Sequence, residues 1–174
     1  MSSKAITNQQ FLSQASSLKM QPSYLIIGED DYLTDKVFQT IREIVKRSMK
    51  SFESLALYGD ELTVGELSEY LDSYSLFAEN RLLQIRNAER LGEEDKNRKN
   101  ADRQKKMLEL INNYLSSPEP SQVLVLIAES VDSRQAGWKQ IKESSVTIEC
   151  EPVKHVGAMR AWLDSMLKEQ KKTM

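Results

Sequence analysis

A chain of 174 residues with a hydrophobic fraction of 40% can bury one ordinary core and begin a second. Its 24 Lys and Arg nearly balance its 26 Asp and Glu, and a formal net charge of −2 argues against a protein that coats nucleic acid through its overall field, though a local basic patch stays open. One cysteine, Cys150, excludes an internal disulfide and fits a reducing compartment; with one histidine, His155, the soft ligands are too few for a structural zinc site, and neither a spanning run of about 20 apolar residues nor a signal-peptide core is visible, so the expectation is a soluble cytoplasmic protein with no membrane partner.

Thr7 to Leu18 places Phe11, Leu12, Ala15 and Leu18 at helical spacing and predicts a short amphipathic helix stopped by Pro22. Tyr24-Leu25-Ile26-Ile27, ending at Gly28, predicts a strand buried on both faces. From Asp31 to Met49 the period changes: Leu33, Val37, Ile41, Ile44 and Val45 mark a helix of several turns, with Asp30 or Asp31 placed to cap it. Phe52 to Tyr58 predicts a second strand, closed by Gly59-Asp60. Thr63-Val64-Gly65-Glu66 has capping-box spacing and opens a helix through Leu67, Leu71 and Tyr74.

Arg81 to Ile85 is the third predicted strand. The charged stretch Glu89 to Lys106 reads as a solvated loop and the start of a helix whose apolar face is Met107, Leu108, Leu110, Ile111 and Leu115, ended by Ser116-Ser117-Pro118-Glu119-Pro120. Val123 to Ile127 is the strongest strand signal, followed by a short helix around Gln135 to Ile141 and a fifth strand at Val146 to Glu149. Beyond Pro152, the residues Val156, Met159, Trp162, Leu163 and Met166 predict one more amphipathic helix with no partner strand. Continuous apolar strands alternating with helices imply a three-layer, doubly wound α/β fold on a parallel five-stranded sheet. The last helix then begins a second domain.

Ligands of such sheets bind outside the carboxyl ends of the strands. At the end of the first predicted strand, Gly28 starts a phosphate-loop frame. The positions that need Gly, Lys and Ser/Thr hold Leu33, Thr34 and Asp35, and Glu29, Asp30 and Asp31 would repel a polyphosphate. Paired acids after a strand also suggest a Mg²⁺-binding receiver domain, but the apolar strands end in Arg86-Asn87 and Glu129-Ser130, with no phospho-accepting Asp; helix capping is the simpler role for Asp30 and Asp31. Cys150 and His155 make no recognisable dyad. The basic residues Arg90, Lys96, Arg98, Lys99, Arg103, Lys105 and Lys106 are interleaved with Glu89, Glu93, Glu94, Asp95 and Asp102, the pattern of a solvated face rather than of a DNA tract. No catalytic, cofactor or metal residue is expected.

The stretch Leu71-Asp72-Ser73-Tyr74-Ser75-Leu76-Phe77-Ala78-Glu79-Asn80-Arg81-Leu82-Leu83 joins the end of a helix to a strand through Ser-Leu-Phe. This resembles the delta subunit of the bacterial DNA polymerase III clamp loader, in which a Ser-Leu-Phe after an apolar residue inserts into the sliding clamp. Tyr24 to Glu29 is similar to that family's opening strand and degenerate phosphate loop, and Phe52 to Gly59 to its second strand. Val123 to Ala128 with Asp132-Ser133-Arg134 and Trp138-Lys139 is similar to the later strand and Asp-x-Arg segment, and Pro152 with Trp162 to the approach to the lid.

The resemblance implies an AAA+/P-loop-NTPase-like domain without a functional P-loop over residues 1–150 and the first helix of a truncated helical lid over 151–174, the C-terminal collar being absent. It implies a non-catalytic subunit of the polymerase III holoenzyme that takes no cofactor. Tyr74, Ser75, Leu76 and Phe77 would grip the sliding clamp (the beta subunit) and help open it for loading onto primed DNA. Other partners would be gamma/tau and delta prime through the missing C-terminal parts, and DNA indirectly or weakly. A Leu-Phe between helix and strand is also common core packing. A diverged nucleotide-binding or phosphate-responsive α/β domain is the alternative.

Overall fold

The computed structural model describes residues 5–72, 80–95 and 98–151, with the side chains of 94–99 excluded. The elements in chain order are β1 (Ile6–Thr7), α1 (Asn8–Gln14), β2 (Ser23–Ile27), α2 (Asp31–Ser48), β3 (Glu53–Tyr58), α3 (Val64–Asp72), β4 (Arg81–Arg86), a 3₁₀ turn (Ala88–Arg90), β5 (Glu93–Asp95), β6 (Arg98–Lys99), α4 (Ala101–Ser116), β7 (Gln122–Ala128), α5 (Ala136–Ser144) and β8 (Val146–Glu149). The main sheet runs β1-β8-β2-β7-β4-β3, and every pairing in it is parallel.

The sheet therefore has six strands, not five. The additional strand, β1, is two residues long and pairs Ile6 with Ile148 and Thr7 with Glu149. A pair of residues has no periodicity to read, and β1 exists because β8 offers it an open edge. It also shortens the first helix, which was expected from Thr7. Thr7 is instead the N-cap: its hydroxyl accepts from the Gln10 N–H at 3.3 Å and the Gln10 side chain accepts from the Thr7 N–H at 3.1 Å. A Thr-x-x-Gln capping box thus opens the helix. At the other end, the Arg47 guanidinium donates to the carbonyls of Ala15 and Ser16 at 2.7 and 3.1 Å and helps close the helix before Leu18.

Alternate residues of each strand serve opposite layers. Leu25, Leu83, Ile85, Leu124 and Leu126 face one core with α3, α4 and α5, which contribute Leu67, Leu108, Ile111, Trp138 and Ile141. Tyr24, Ile26, Leu82, Val123, Val125 and Ile148 face the other, covered by α1 and α2 through Phe11, Val37, Ile41 and Ile44. All seven residues of β7 are buried, as its central place in the sheet requires.

The charged stretch after β4 is more structured than a solvated loop. Leu91 is fully buried, and β5 and β6 form an antiparallel pair. The Arg90 guanidinium lies 3.1 Å from Asp60 and 2.8 Å from Glu93, and Arg103 donates to the Leu62 carbonyl at 2.9 Å. Gly92 holds φ +86, with the Gln104 backbone nitrogen 2.5 Å from where a Cβ would stand, so only glycine turns the chain there against α4. Polar composition suggested solvent; the local ion pairs and one buried leucine overrode it.

Candidate functional site

Two ends of the sheet matter, and the parallel strands separate them. At the carboxyl end, β2, β7 and β8 finish around a cavity of about 750 Å³ lined by Gly28, Glu29, Asp30, Glu129, Glu149 and Cys150. In a phosphate-binding fold this is where the loop after the first strand and the N-terminus of the next helix would hold an anion. Here the helix N-terminus is already satisfied. The Asp30 carboxylate accepts from the Leu33 N–H at 3.1 Å, and the Asp30 carbonyl accepts from the Thr34 N–H at 3.0 Å.

The three residues standing where Gly, Lys and Ser/Thr would be needed are committed elsewhere. Leu33 packs in the core, the Thr34 hydroxyl donates to the Asp31 carbonyl at 3.1 Å, and Asp35 pairs with Arg86 from β4. Among the described residues no group of three or more His, Cys, Asp or Glu is arranged to hold a metal ion. The Glu89 carboxylate accepts from the Glu129 N–H at 3.0 Å, and burial pushes its carboxyl up from the ordinary range.

Of the two candidates, Asp30 and Asp31, it is Asp30 that caps α2, and Asp31 is the first residue of the helix. Asp30→Ala should cost about 1 kcal/mol in urea-unfolding stability, while Asp30→Asn, which keeps an acceptor, should cost much less. Equal losses in the two variants would show that the cap bond is not what Asp30 contributes.

Cys150 is buried beside Gly28. Burial, and then the nearby Asp30 charge, push its thiol up to about 12. Such a thiol is a poor nucleophile. The native chain should therefore resist iodoacetamide at pH 8 and react promptly in denaturant. Because the folded pKa is raised, the associated stability is fully present below about pH 9, the ordinary value, and is lost as pH rises towards 12. His155 lies outside the described residues.

The amino end of the sheet carries the other candidate. Tyr74, Ser75, Leu76 and Phe77 lie outside the described residues; the limbs on either side are the end of α3 and the start of β4. The outgoing limb is α3, opened by the capping box foreseen at Thr63 and Glu66. The Thr63 hydroxyl accepts from the Glu66 N–H at 3.2 Å and the Glu66 carboxylate accepts from the Thr63 N–H at 2.9 Å. Hydrogen bonds from the Thr63 hydroxyl and N–H hold the Glu66 carboxyl below its ordinary range.

The returning limb enters β4 at Arg81. The Asn80 side chain donates to the Ser51 carbonyl at 2.9 Å, the Asn80 carbonyl accepts from the Glu53 N–H at 2.9 Å, and the Arg81 N–H donates to the Ser121 carbonyl at 2.8 Å. Beside these limbs a cavity of about 390 Å³ opens between the C-terminal halves of α3 and α4, lined by Ser68, Leu71, Asp72, Leu110, Asn113 and Tyr114.

Sequence reasoning treated Arg81 only as the start of a strand. It is 7% exposed, and its guanidinium reaches the Tyr70 carbonyl at 3.2 Å, the Gln122 side chain at 3.4 Å and the Glu53 carboxylate at 3.6 Å. The signal was there: a cation opening an otherwise apolar strand needs partners if the strand is buried.

Of the basic residues in the charged run, Arg90 and Arg103 are engaged as described, and Lys105 and Lys106 are exposed on α4. Arg134 is exposed and chelates Asp132 through Nε and Nη2 at 2.9 and 3.1 Å, which holds the Asp132 carboxyl below its ordinary range. Among the described residues, no helix is long and apolar enough to cross a membrane.

Comparison with known proteins places this architecture. The chain is similar in fold to the Bacillus subtilis DNA clamp loader delta protein (YqeN), with a TM-score of 0.65 and 22% identity over 84% of this chain. It spans 43% of that longer protein. A DNA polymerase III gamma subunit-related protein from Thermotoga maritima matches with a TM-score of 0.48 and 14% identity, over 84% of this chain and 47% of its own. No curated protein matches the sequence. The family model described as DNA polymerase III, delta subunit, matches residues 24–151. With that match running from β2 through β8, the chain belongs to the DNA polymerase III delta subunit family.

Proposed function

We propose that this chain is the forward part of a clamp-loader delta subunit, which binds the sliding clamp through Tyr74, Ser75, Leu76 and Phe77 and helps to open it for loading onto primed DNA. The observation that carries the reading is the family match over residues 24–151, which includes the Ser-Leu-Phe link between the end of α3 and the start of β4. On this reading residues 1–150 are the AAA+-like domain and 151–174 begin a helical lid. Contacts with gamma/tau and delta prime belong to the lid and collar regions of longer relatives.

The work done is mechanical. An apolar pair docked at a clamp groove favours whichever ring conformation offers that groove best, so binding energy shifts the ring towards its open state. No chemistry by this chain is required. The carboxyl-end cavity supports that view, because its anion position is filled by the Asp30 carboxylate and its rim carries Glu29, Glu129 and Glu149.

The test is capture of this chain by its own sliding clamp. Saturable binding is expected, and absence of binding by the folded chain would remove the clamp reading. Melting with and without ATP–Mg²⁺ separates the alternative: a nucleotide site at 100 times its Kd would add about 2.7 kcal/mol, whereas no shift is expected here.

A further inference from the structure

We propose that Arg81 is a positioning residue for the clamp-binding segment, holding the two limbs of residues 73–79 at the spacing that docking requires; this rests on the clamp-binding reading above. Arg81 is the first residue of β4, so it stands where the segment rejoins the sheet. The Tyr70 carbonyl that it reaches belongs to the last turn of α3, where the segment departs. A carbonyl near the C-terminal end of a helix lies at the negative end of the helix dipole, where a cation is favoured. The guanidinium therefore joins the outgoing limb to the returning one directly. Its contacts with Gln122 at the start of β7 and Glu53 at the start of β3 refer both limbs to the rigid amino edge of the sheet.

A buried cation is a poor choice if stability were the sole purpose, since a cluster of well-packed apolar residues in place of the whole ion pair often serves as well or better once desolvation is counted. What the guanidinium adds is direction: its Nη1 donates to both the Tyr70 carbonyl and the Gln122 side chain, and its Nε lies 3.6 Å from the Glu53 carboxylate, so one planar group refers α3, β3 and β7 to β4. Without it the limbs would sample several spacings. A binder whose competent state falls to about a tenth of its population binds about tenfold more weakly.

The test compares wild type, Arg81→Met, Arg81→Lys and Leu76→Ala/Phe77→Ala for affinity to the sliding clamp, well below each melting temperature. Arg81→Met is expected to melt several degrees below wild type, because the Tyr70 carbonyl and the Gln122 side chain lose their donor, and, while fully folded, to bind about tenfold more weakly; Arg81→Lys, which keeps one donor for the Tyr70 carbonyl, is expected to bind about threefold more weakly. In a Leu76→Ala background the Arg81→Met loss should shrink, because the two changes act on the same segment. A merely stabilising Arg81 would lower the melting temperature and leave the affinity of the folded molecules unchanged.

If Arg81→Met does not fold, Arg81→Lys carries the comparison. Wild-type affinity in every folded Arg81 variant, with Leu76→Ala/Phe77→Ala still defective, overturns the role of Arg81 and leaves the clamp reading intact. If wild type itself does not bind, both fall together.

Discussion

Replacing Leu76 and Phe77 together by alanine should weaken binding to the sliding clamp by about 100- to 10,000-fold. Burying two such side chains in an apolar groove is worth roughly 3–6 kcal/mol before the cost of ordering the segment, and each 1.4 kcal/mol is a factor of about ten. Surface plasmon resonance against immobilised clamp would read it, with most of the change in the dissociation rate. Circular dichroism and melting of the double variant should match wild type. A variant that melts far lower would mean that Leu76 and Phe77 are core residues, and one that binds normally would remove the site. Tyr74→Phe should bind at least as well as wild type if the ring alone fills the pocket edge, and less well if the hydroxyl finds a partner there.

The second large effect is on stability. Gly28→Ala should cost about 2–3 kcal/mol in chemical denaturation. A Cβ at residue 28 would stand 2.6 Å from the Cys150 Cβ and 2.7 Å from the Cys150 carbonyl oxygen. Residue 28 cannot retreat easily. Its N–H donates to the Ala128 carbonyl at 3.0 Å, and the Cys150 N–H donates to the Ile27 carbonyl at 2.7 Å, so the ends of β2, β7 and β8 are stitched together around it. Cys150→Gly should rescue Gly28→Ala only in part, because it removes the side-chain clash and leaves the carbonyl. Full rescue, or a wild-type Gly28→Ala, would show that the strand ends move apart readily. Gly28 here serves close strand packing, whereas in a working phosphate loop the same glycine would serve approach to a ligand.

These expectations draw on different levels of the molecule. Strands of unbroken apolar residues such as Leu25-Ile26 and Val123 to Ile127 have few ways to be buried, so a parallel sheet covered on both faces was legible from the sequence. So were the cap at Thr63 with Glu66 and, to within one residue, the cap at Asp30, because a cap is a local bond between residues three apart. The absence of Lys and Ser/Thr at positions 34 and 35 was equally plain, as was the Ser-Leu-Phe that pointed to the family.

Contacts made across the fold were beyond that reach. The edge strand β1 depends on the open side of β8, 142 residues away by its register. The folding of residues 88–95 against α4 depends on Arg90 meeting Asp60 and Arg103 meeting the Leu62 carbonyl. The role of Arg81 depends on α3, β3 and β7 converging at one edge. Periodicity and capping act over a few residues, and the sequence by itself determined what they govern. Charge pairing between distant segments has no local signature, so only the tertiary structure decided where the cations went: Arg86 to Asp35 at the end that a nucleotide would occupy, and Arg81 to the end that frames the proposed clamp contact.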